Sequence, residues 1–390
     1  MSLGLKVYKL EIKLTKEQQE LYKHYISITR YLYNKYIETN KNLYEQYKNG
    51  EIAKNQCFLS GYDFDKYVNN ELSKDNLWIK DCPAKARKKA IMNAETSFKR
   101  FFKGLAKFPK FKKKKNDYNL SLYHIYLKKI ERHKLKLPKL GWVHLKEYSY
   151  LPKDITVKSF TLSTKANKYY ISILTEVTND SQVSEKTYVN GVGIDLGIKD
   201  LMICSDGRVY KNINKFFKLR KLYKQLAHLQ RNLSRKFQNR KVGATVTHKN
   251  IDKNKIKLRK KYMKISNIVT DYIDKSIAQI ISLNPQYITL EDLNVFGMLK
   301  NKHLSKHIQR CRFYEIKTKL LNKCLTNGIE FRQVDRWYPS SKLCSCCGNK
   351  KKDLKLKDRI YICDSCGTTL DRDYNASVNL AQAREYKIIH

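Results

Sequence analysis

The sequence predicts an α/β protein with more than one domain, and three observations predict it. In the first half, long stretches with apolar residues at helical spacing lie between strand-like segments. The second half alternates buried-looking strands with long helices. Near the C-terminus, two pairs of cysteines have the spacing of a metal-binding ribbon. We therefore expect a small N-terminal β-barrel interrupted by helices, followed by an α/β domain that contains the ribbon.

The chain of 390 residues is strongly basic, with 80 Lys and Arg against 36 Asp and Glu and a formal charge of +44. Charge of this sign and size attracts a polyanion through counterion release, so nucleic acid is the first candidate partner. A coding bias toward Lys, Asn, Ile and Tyr is the alternative explanation. It accounts for the lysines better than for the scarcity of acids, so we favour nucleic acid.

The use of cysteine indicates a reducing compartment rather than a secreted disulfide scaffold. Outside the two pairs, five single cysteines lie in segments with helix-like or strand-like patterns: Cys57, Cys82, Cys204, Cys311 and Cys324. Residues 1–14 offer no apolar core of signal-peptide length, and no later segment approaches the ~20 apolar residues of a membrane span. We expect a soluble protein of the bacterial cytoplasm, associated with the nucleoid and without a membrane partner.

The N-terminal strand and helix are predicted from residue spacing. Residues 5–14 alternate apolar and charged side chains, which is typical of a strand. The apolar set on one face is Tyr8, Leu10, Ile12 and Leu14. Thr15 and Gln18 form a capping box that begins a helix, and helical spacing continues to about Lys48. A second helical stretch spans 83–103, and together these helices form a basic, tyrosine-rich bundle over 15–104.

The segment 105–180 is rich in β-branched and aromatic residues, interrupted by Pro, Gly or Asn. The predicted strands are 134–137, 143–146, 156–164 and 169–175. We expect the N-terminal strand to join them, so that 1–14 and 105–180 form a β-barrel and the helical domain 15–104 is an insertion into it.

A polar linker at 179–185 marks the best domain boundary, and the second domain is expected over 186–390. Its residues 191–207 read as a strand, a turn, a second strand and an Asp-Gly hairpin turn. Two long helices with leucine-rich and isoleucine-rich stripes follow, and such stripes are typical of core-facing seams. The remaining predicted elements are a strand at 286–290, a helix at 303–327, a strand at 328–334, the ribbon at 340–370 and a last helix.

The ribbon carries two Cys-x2-Cys pairs, each followed by glycine. This spacing allows four thiolates to coordinate one Zn²⁺ in a tetrahedral geometry. The expected ligands are Cys344, Cys347, Cys363 and Cys366. Cys346 lies inside the first pair and is a possible substitute ligand, although the spacing of Cys344 and Cys347 is better suited to binding one metal ion. Such a site is structural, since it has no open position.

Three carboxylates are candidates for catalysis of phosphodiester hydrolysis. Asp195 lies in an apolar strand, where a buried carboxylate is costly unless a cation or donors satisfy it. Glu291 ends a later strand and Asp373 lies at the start of the last helix. Acids at these places are brought to one side of the sheet by a ribonuclease-H-like fold, where two Mg²⁺ ions ~4 Å apart would supply the chemistry.

Each acid has an alternative explanation. Turn amides could satisfy Asp195, and a strand-end acid such as Glu291 is commonly solvated. Asp373 could cap the helix. The neighbouring acids Asp292 and Asp371 are rival candidates.

Taken in order, these motifs carry a resemblance to a known family. The residues that carry it are Gly193-Ile-Asp195-Leu-Gly197, Leu290-Glu291-Asp-Leu-Asn294, Ser340-Ser-Lys342, the two cysteine pairs, and Asp371-Arg-Asp373-Tyr-Asn375-Ala376. They resemble the TnpB family of transposon-encoded RNA-guided DNA nucleases, which is related to the type V CRISPR effectors. The N-terminal strand, its capped helix and the segment 108–112 match as well, so the resemblance covers nearly the whole chain.

The resemblance implies fold, activity and partners. It implies a RuvC-like nuclease domain with Asp195, Glu291 and Asp373 as magnesium ligands, an inserted zinc ribbon, and a wedge β-barrel interrupted by a helical recognition domain. The expected partners are a guide RNA derived from the transposon end and double-stranded target DNA next to a short motif, with the protein as a monomer. A nuclease-inactive RNA-guided repressor and an RNA-independent transposase or accessory DNA-binding protein are the alternatives, and the three intact acids favour an enzyme.

Overall fold

The computed structural model describes residues 3–114, 121–124, 127, 129–152, 155–178, 190–238, 249–355 and 358–389. The chain divides into two compact units, Met1–Ser181 and Gln182–His390. The predicted linker at 179–185 lies outside the described residues. Each unit has its own core.

The first unit contains an antiparallel sheet. Its strands are β1 (Leu3–Lys13), β2 (Ser121–His124), β3 (Lys129–Ile130), β4 (Lys134–Leu137), β5 (Gly141–Leu145), β6 (Thr156–Lys165) and β7 (Lys168–Thr178). Among the described residues they are ordered β2-β6-β7-β1-β5-β4-β3. β1 pairs with both β5 and β7, so the N-terminal strand joins the later strands as the sequence predicts. β2 and β3 lie at the two ends of this order, and closure into a barrel stays a prediction.

Four described α-helices lie between β1 and β2. They are α1 (Lys16–Lys48), α2 (Gly61–Tyr67), α3 (Ser73–Asp75) and α4 (Ala84–Phe102). The predicted capping box is confirmed, since the Gln18 amide donates to Thr15 Oγ1 at 3.2 Å and the Thr15 amide to Gln18 Oε1 at 3.1 Å. Helical spacing predicts an apolar stripe on α1 made of Leu21, Tyr25, Ile28, Leu32 and Tyr36. All of these are buried except Leu21, which is exposed, and Tyr22 is buried in its place.

The second unit contains a mixed sheet and a small hairpin. Its strands are β8 (Val192–Asp195), β9 (Asp200–Cys204), β10 (Val209–Lys211), β11 (Tyr287–Glu291), β12 (Glu330–Val334), β13 (Ile360–Ile362), β14 (Thr369–Asp371) and β15 (Lys387–Ile388). Among the described residues the sheet order is β10-β9-β8-β11-β12-β15, with β13 and β14 paired separately. β11 is parallel to β8 and β12, whereas β9 is antiparallel to both of its neighbours. The edge strand β15 follows the last helix and was not predicted.

The described helices of this unit are α5 (Phe217–Gln238), α6 (Lys249–Ile281), α7 (Val295–Leu299), α8 (Ser305–Cys311), α9 (Phe313–Asn327) and α10 (Arg372–Ala381). The prediction of one helix over 303–327 is wrong. Arg312 has φ 57°, in the left-handed region, and separates α8 from α9. Its guanidinium donates to Thr270 Oγ1 of α6 at 2.9 Å and pairs with Glu315 of α9 at 3.3 Å. These contacts stabilise Arg312 in a backbone conformation that is unfavourable for a residue with a side chain. Helical spacing in the sequence gives no sign of this conformation.

The predicted seams of α5 and α6 pack into the core of this unit, where Leu219, Leu222, Ile265 and Val269 are buried. None of the helices in the described part of the chain is long and apolar enough to cross a membrane.

The last helix packs directly on the first strand of the mixed sheet. A Cβ atom at Gly193 in β8 would lie 2.1 Å from the Ser377 carbonyl oxygen and 2.3 Å from the Ala381 nitrogen in α10. Only glycine allows this approach, because both contacts are to backbone atoms that cannot rotate away. The glycine therefore sets the distance between α10 and β8.

We expect Gly193→Ala to destabilise the second unit by about 2–3 kcal/mol, since α10 must move off the sheet to accommodate the methyl group. The measurement is the urea midpoint followed by circular dichroism. Gly207→Ala is the control, because its Cβ meets nothing within 4 Å and the cost is only the strain of φ 88°, about 1 kcal/mol. Equal losses in the two variants would contradict the close approach.

Candidate active site

Asp195 and Glu291 end two neighbouring parallel strands. In the register of β8 and β11, Leu290 pairs with Ile194, so the next residue of each strand is one of the two acids. Parallel strands end at the same edge of a sheet, which places both carboxylates at one edge. Both side chains are partly buried.

Asp373 reaches the same edge from α10. It lies in the first turn of that helix, one turn before Ser377, whose carbonyl contacts the backbone at Gly193. Its negative charge contributes to raising the pKa of Asp195, which shows that the two carboxylates interact. The three predicted acids therefore converge on one edge of the mixed sheet.

Asp195 and Glu291 have raised pKa values. Burial is the largest cause for Asp195, and the charges of Asp373 and Glu291 add to it, raising its pKa to about 7 in spite of Arg372 and the Leu196 amide. Burial, together with the charge of Asp292, raises the pKa of Glu291 to about 7. Carboxyl groups whose pKa values are raised to near neutral pH are typical of sites that use a bound cation or a proton transfer.

Asp373 is held by two arginines and does not cap its helix. Arg372 donates to its Oδ1 from Nε at 3.2 Å and from Nη2 at 3.0 Å, and Arg359 Nη1 approaches Oδ2 at 3.4 Å. The cap is Asp371, whose Oδ1 accepts from the Asp373 amide at 2.9 Å and the Tyr374 amide at 3.1 Å. The alternative in which Asp373 is the cap is therefore wrong, because the helix begins earlier, at Arg372.

Asp292, the rival of Glu291, is surrounded by hydrogen-bond donors. It accepts from Gln333 and from Arg336 Nη2 at 3.1 Å, and Lys317 Nζ lies 3.7 Å away. Partial burial opposes the effect, but these partners hold the pKa of Asp292 below its usual range. Its charge is already balanced by protein cations, in contrast to that of Glu291.

The four predicted cysteine ligands form a compact cluster. Their Sγ atoms all lie within 4.8 Å of one another, with Cys344 to Cys366 at 3.6 Å and Cys347 to Cys363 at 3.5 Å. A tetrahedron with Zn–S bonds of about 2.3 Å has S···S edges of about 3.8 Å. The thiols thus fit one Zn²⁺. Within the described part of the chain, no other group of three or more Cys, His, Asp or Glu side chains forms such a cluster, and this includes the three carboxylates.

The two cysteine pairs have matching turns. Gly348 donates its amide to the Cys344 carbonyl at 2.9 Å, and Gly367 donates to the Cys363 carbonyl at 3.1 Å. Both glycines have positive φ, 73° and 72°, which explains the glycine after each pair. Cys346 is exposed and lies outside the sulfur cluster, so it is not the substitute ligand in this structure.

Two asparagines of α10 join the ribbon to the acidic edge. Asn375 accepts from the Ser345 amide at 3.0 Å and donates to the Leu343 carbonyl at 2.6 Å. Asn379, one turn further, donates to the Ser340 and Leu343 carbonyls, both at 2.7 Å. Because these bonds lie two to six residues after Asp373, the segment leading into the first cysteine pair is bonded to the helix that carries this acid.

A cavity of about 320 Å³ lies beside Glu291. Its lining includes Phe296 and Tyr314, which are 78% and 74% exposed, together with Lys317 and Arg336. Exposed aromatic rings next to cations are typical of surfaces that stack unpaired bases and hold their phosphates.

Sequence reasoning missed three cations that pair with the acids, Arg336, Arg359 and Lys317, and the bonds from Asn379 to the segment before the first cysteine pair. The sequence contains two signals of these contacts. Arg372 stands between Asp371 and Asp373, and Asn375 and Asn379 are four residues apart, which places them on one helix face. The other partners come from distant segments, so the tertiary fold brings them to the acids.

Three family models match the chain. Residues 1–49 match a model described as "Helix-turn-helix domain", 172–302 match "Probable transposase", and 313–380 match "Cas12f1-like, TNB domain". In the structure the first of these regions is a strand followed by the single long helix α1.

Relatives match over most of the chain. "Putative RNA-guided DNA endonuclease InsQ" of Escherichia coli (strain K12) is 32% identical over 328 residues, covering 78% of this chain and 76% of that protein. A "Putative RNA-guided DNA endonuclease" of Streptomyces pristinaespiralis is 30% identical over 296 residues, covering 75% and 70%.

The fold is similar to that of a solved effector. The structure described as "Cryo-EM structure of the Cas12f1-sgRNA-target DNA complex" superimposes with a TM-score of 0.59 at 12% identity, over 99% of this chain and 100% of that chain. The mixed α/β fold predicted from the sequence is thereby confirmed. Together with the identity to InsQ, these matches confirm the resemblance carried by the motifs: the chain belongs to the TnpB family.

Proposed function

We propose that this chain is an RNA-guided DNA endonuclease that hydrolyses phosphodiester bonds at Asp195, Glu291 and Asp373. The observation that carries the proposal is the convergence of the three acids at one sheet edge, from two parallel strand ends and one helix. The names of the relatives agree with this activity.

We further propose that the second unit is a ribonuclease-H-like, RuvC-type domain. The order β10-β9-β8-β11-β12, with β8 central and α10 packed on it, supports this assignment. The ribbon hairpin β13–β14 lies between β12 and α10, as expected of an insertion. In the first unit, the sheet and the helices α1–α4 would be the wedge and recognition domains.

The acidic edge fits divalent cations because its donors are hard carboxylate oxygens and because burial makes their negative charge costly. Asp195, Glu291 and Asp373 would hold two Mg²⁺ ions. When bound, these ions supply charge neutralisation, an activated water and stabilisation of the leaving oxygen. Carboxylates that share two ions need not all meet at a single point, as the four thiols do.

The protein residues around the acids have separate tasks. Arg359 and Arg372 hold the Asp373 carboxylate in place, and Arg336 with Lys317 keeps Asp292 paired. The aromatic cavity beside Glu291 would hold unpaired nucleotides near the edge.

The remaining proposals concern partners. The formal charge of +44 suits a guide RNA from the transposon end and double-stranded target DNA, with base pairing supplying sequence choice. The protein would act as a monomer in the bacterial cytoplasm. The four cysteines would bind one structural Zn²⁺, which fixes the segment bonded to Asn375.

We expect Asp195→Asn to lower target cleavage on the order of a thousandfold, because a neutral amide cannot hold a cation at this edge. The co-purified RNA should stay bound. The measurement is single-turnover cleavage of DNA complementary to that RNA, once it has been sequenced. Asp371→Asn is the matched control, since asparagine preserves the helix cap.

The same assay decides between the alternatives. Full cleavage by Asp195→Asn would contradict the assignment of the acids. A wild-type complex that binds target but does not cut it would favour the repressor, and RNA-free protein that cuts or joins DNA would favour the transposase.

We expect cleavage to rise as the pH increases from about 6 to about 8. The pKa values of Asp195 and Glu291 are both raised to about 7, so below that pH the groups are protonated and cannot hold a cation. Because metal and protons compete, raising the Mg²⁺ concentration should move the midpoint to lower pH. A midpoint that is independent of Mg²⁺ would contradict this coupling.

We expect Cys363→Ser to lose the bound zinc, lower the melting temperature and reduce cleavage, because one of four clustered sulfurs is removed. Zinc content by mass spectrometry, melting temperature and cleavage are measured together. Cys346→Ser is the matched control, since this exposed cysteine is outside the cluster. Loss of zinc from Cys346→Ser would contradict the assignment.

A further inference from the structure

A second cavity in the same unit lies away from the three acids. It has a volume of about 340 Å³ and lies between the segment after β10 and helix α8. Its lining residues are Asn212, Asn214, Lys215, Arg220, His307 and Arg310.

The lining of this pocket is basic. Lys215, Arg220 and Arg310 contribute three positive charges, and no Asp or Glu is among the lining residues. Within the described part of the chain, none of these three side chains forms an ion pair. Other cations near the same segment do have a carboxylate partner, as Lys211 has in Asp200 at 3.1 Å. Converging cations without a carboxylate partner favour an anionic ligand.

The floor of the pocket is built from buried, fully oriented polar groups. Asn212 Oδ1 accepts from the Asn214 amide at 3.1 Å and from its Nδ2 at 2.9 Å. Asn214 Oδ1 accepts from the Tyr223 hydroxyl at 2.7 Å, and the Arg310 guanidinium lies 3.6 Å from the centre of the Tyr223 ring. The guanidinium is therefore held before any ligand arrives, which lowers the entropic cost of binding an anion.

The pocket lies at the same sheet edge as the acids. β8 and β10 are both antiparallel to β9, so the segment after β10 leaves the sheet at the edge where Asp195 lies. Asn212 Nδ2 donates to the Ile198 carbonyl at 2.8 Å and Lys215 Nζ to the Lys199 carbonyl at 3.2 Å. These two carbonyls belong to the four residues that follow Asp195, so the pocket is bonded to the segment that leaves the acidic edge.

Two exposed rings suggest that the anion is part of a nucleic acid strand. Phe216 and Phe217, between Lys215 and Arg220 in the chain, are 53% and 80% exposed. Adjacent exposed phenylalanines are costly on a surface without a partner, and they can stack on nucleobases. A free phosphate would use the cations alone, whereas a strand would use both the cations and the rings.

We propose that this pocket binds a phosphodiester group of the DNA strand that is led to Asp195, Glu291 and Asp373. The inference rests on the proposed nuclease function and adds a binding site for its substrate. The cations of the pocket would contact the phosphate. Because Asn212 and Lys215 are bonded to the segment that follows Asp195, a strand held in the pocket would approach the acids from this side.

The test uses the full chain with its co-purified RNA and the double variant Lys215→Gln/Arg220→Gln. Both side chains are exposed, so the fold should be retained. We expect single-turnover cleavage at limiting DNA to fall about tenfold or more, with a smaller loss at low salt, while the guide RNA is retained. The matched control is Lys260→Gln/Lys323→Gln, which removes two charges from exposed positions on α6 and α9 and should cleave normally.

Two outcomes would overturn the inference. One is cleavage by the pocket variant at the rate of the control variant. The other is loss of the guide RNA from the pocket variant alone, which would assign the phosphate to RNA.

A second measurement separates failure of the inference from failure of the proposed function. Binding of a fluorescent 20-nucleotide single-stranded DNA, about the length of a guide-paired segment, is followed by anisotropy across a salt series. Loss of the one phosphate contact in the pocket should reduce the slope of log affinity against log salt by about 0.7 relative to the control variant. A reduced slope would support phosphate binding in the pocket even if the wild-type complex did not cleave DNA. An unchanged slope would contradict phosphate binding in the pocket even if the wild-type complex cleaved DNA.

Discussion

The direct contact between α10 and β8 is the constraint on which the acidic edge depends. Gly193 has no side chain, so the backbone of α10 at Ser377 and Ala381 rests on the strand. Asp373 lies one helical turn before this contact and Asp195 two residues after Gly193, so the same contact sets the separation of the two carboxylates. Glu291 is then placed by the register of the adjacent parallel strand.

The edge concentrates negative charge in an otherwise basic protein. Burial raises the pKa values of Asp195 and Glu291; the charges of Asp373 and Glu291 add to this effect at Asp195, and the charge of Asp292 adds to it at Glu291. Asp292 and Asp373 are paired with cations from other segments. The neighbouring basic pocket at Lys215 and the aromatic cavity beside Glu291 complement this edge, because a nucleic acid strand needs contacts for its phosphates and bases on either side of the bond that is cut. The ribbon supports the arrangement through the asparagine bonds to α10.

Local sequence patterns predicted most elements of both units. The sequence predicted three local features, because each depends on residues close together in the chain. They are the strand alternation up to Leu14, the capping box at Thr15 and the turns at the glycines after each cysteine pair. The break at Arg312 and the strand β15 were missed. The first depends on contacts to Thr270 and Glu315, and the second on pairing with β12, so neither leaves a local signal.

By itself, the sequence determined which residues are chemically suited to the site: four cysteines in two pairs and acids at strand ends and a helix start. It could not decide whether Asp373 caps the last helix, nor give the partners of Asp292. The structure decided the first point because the cap depends on the residue at which the helix begins, which sequence patterns do not fix. It decided the second because Arg336 and Asp292 are far apart in the chain and are brought together only by the fold. The basic pocket between the segment after β10 and α8 belongs to the same class, since its charges converge only when Lys215 and Arg310 are brought together by the fold.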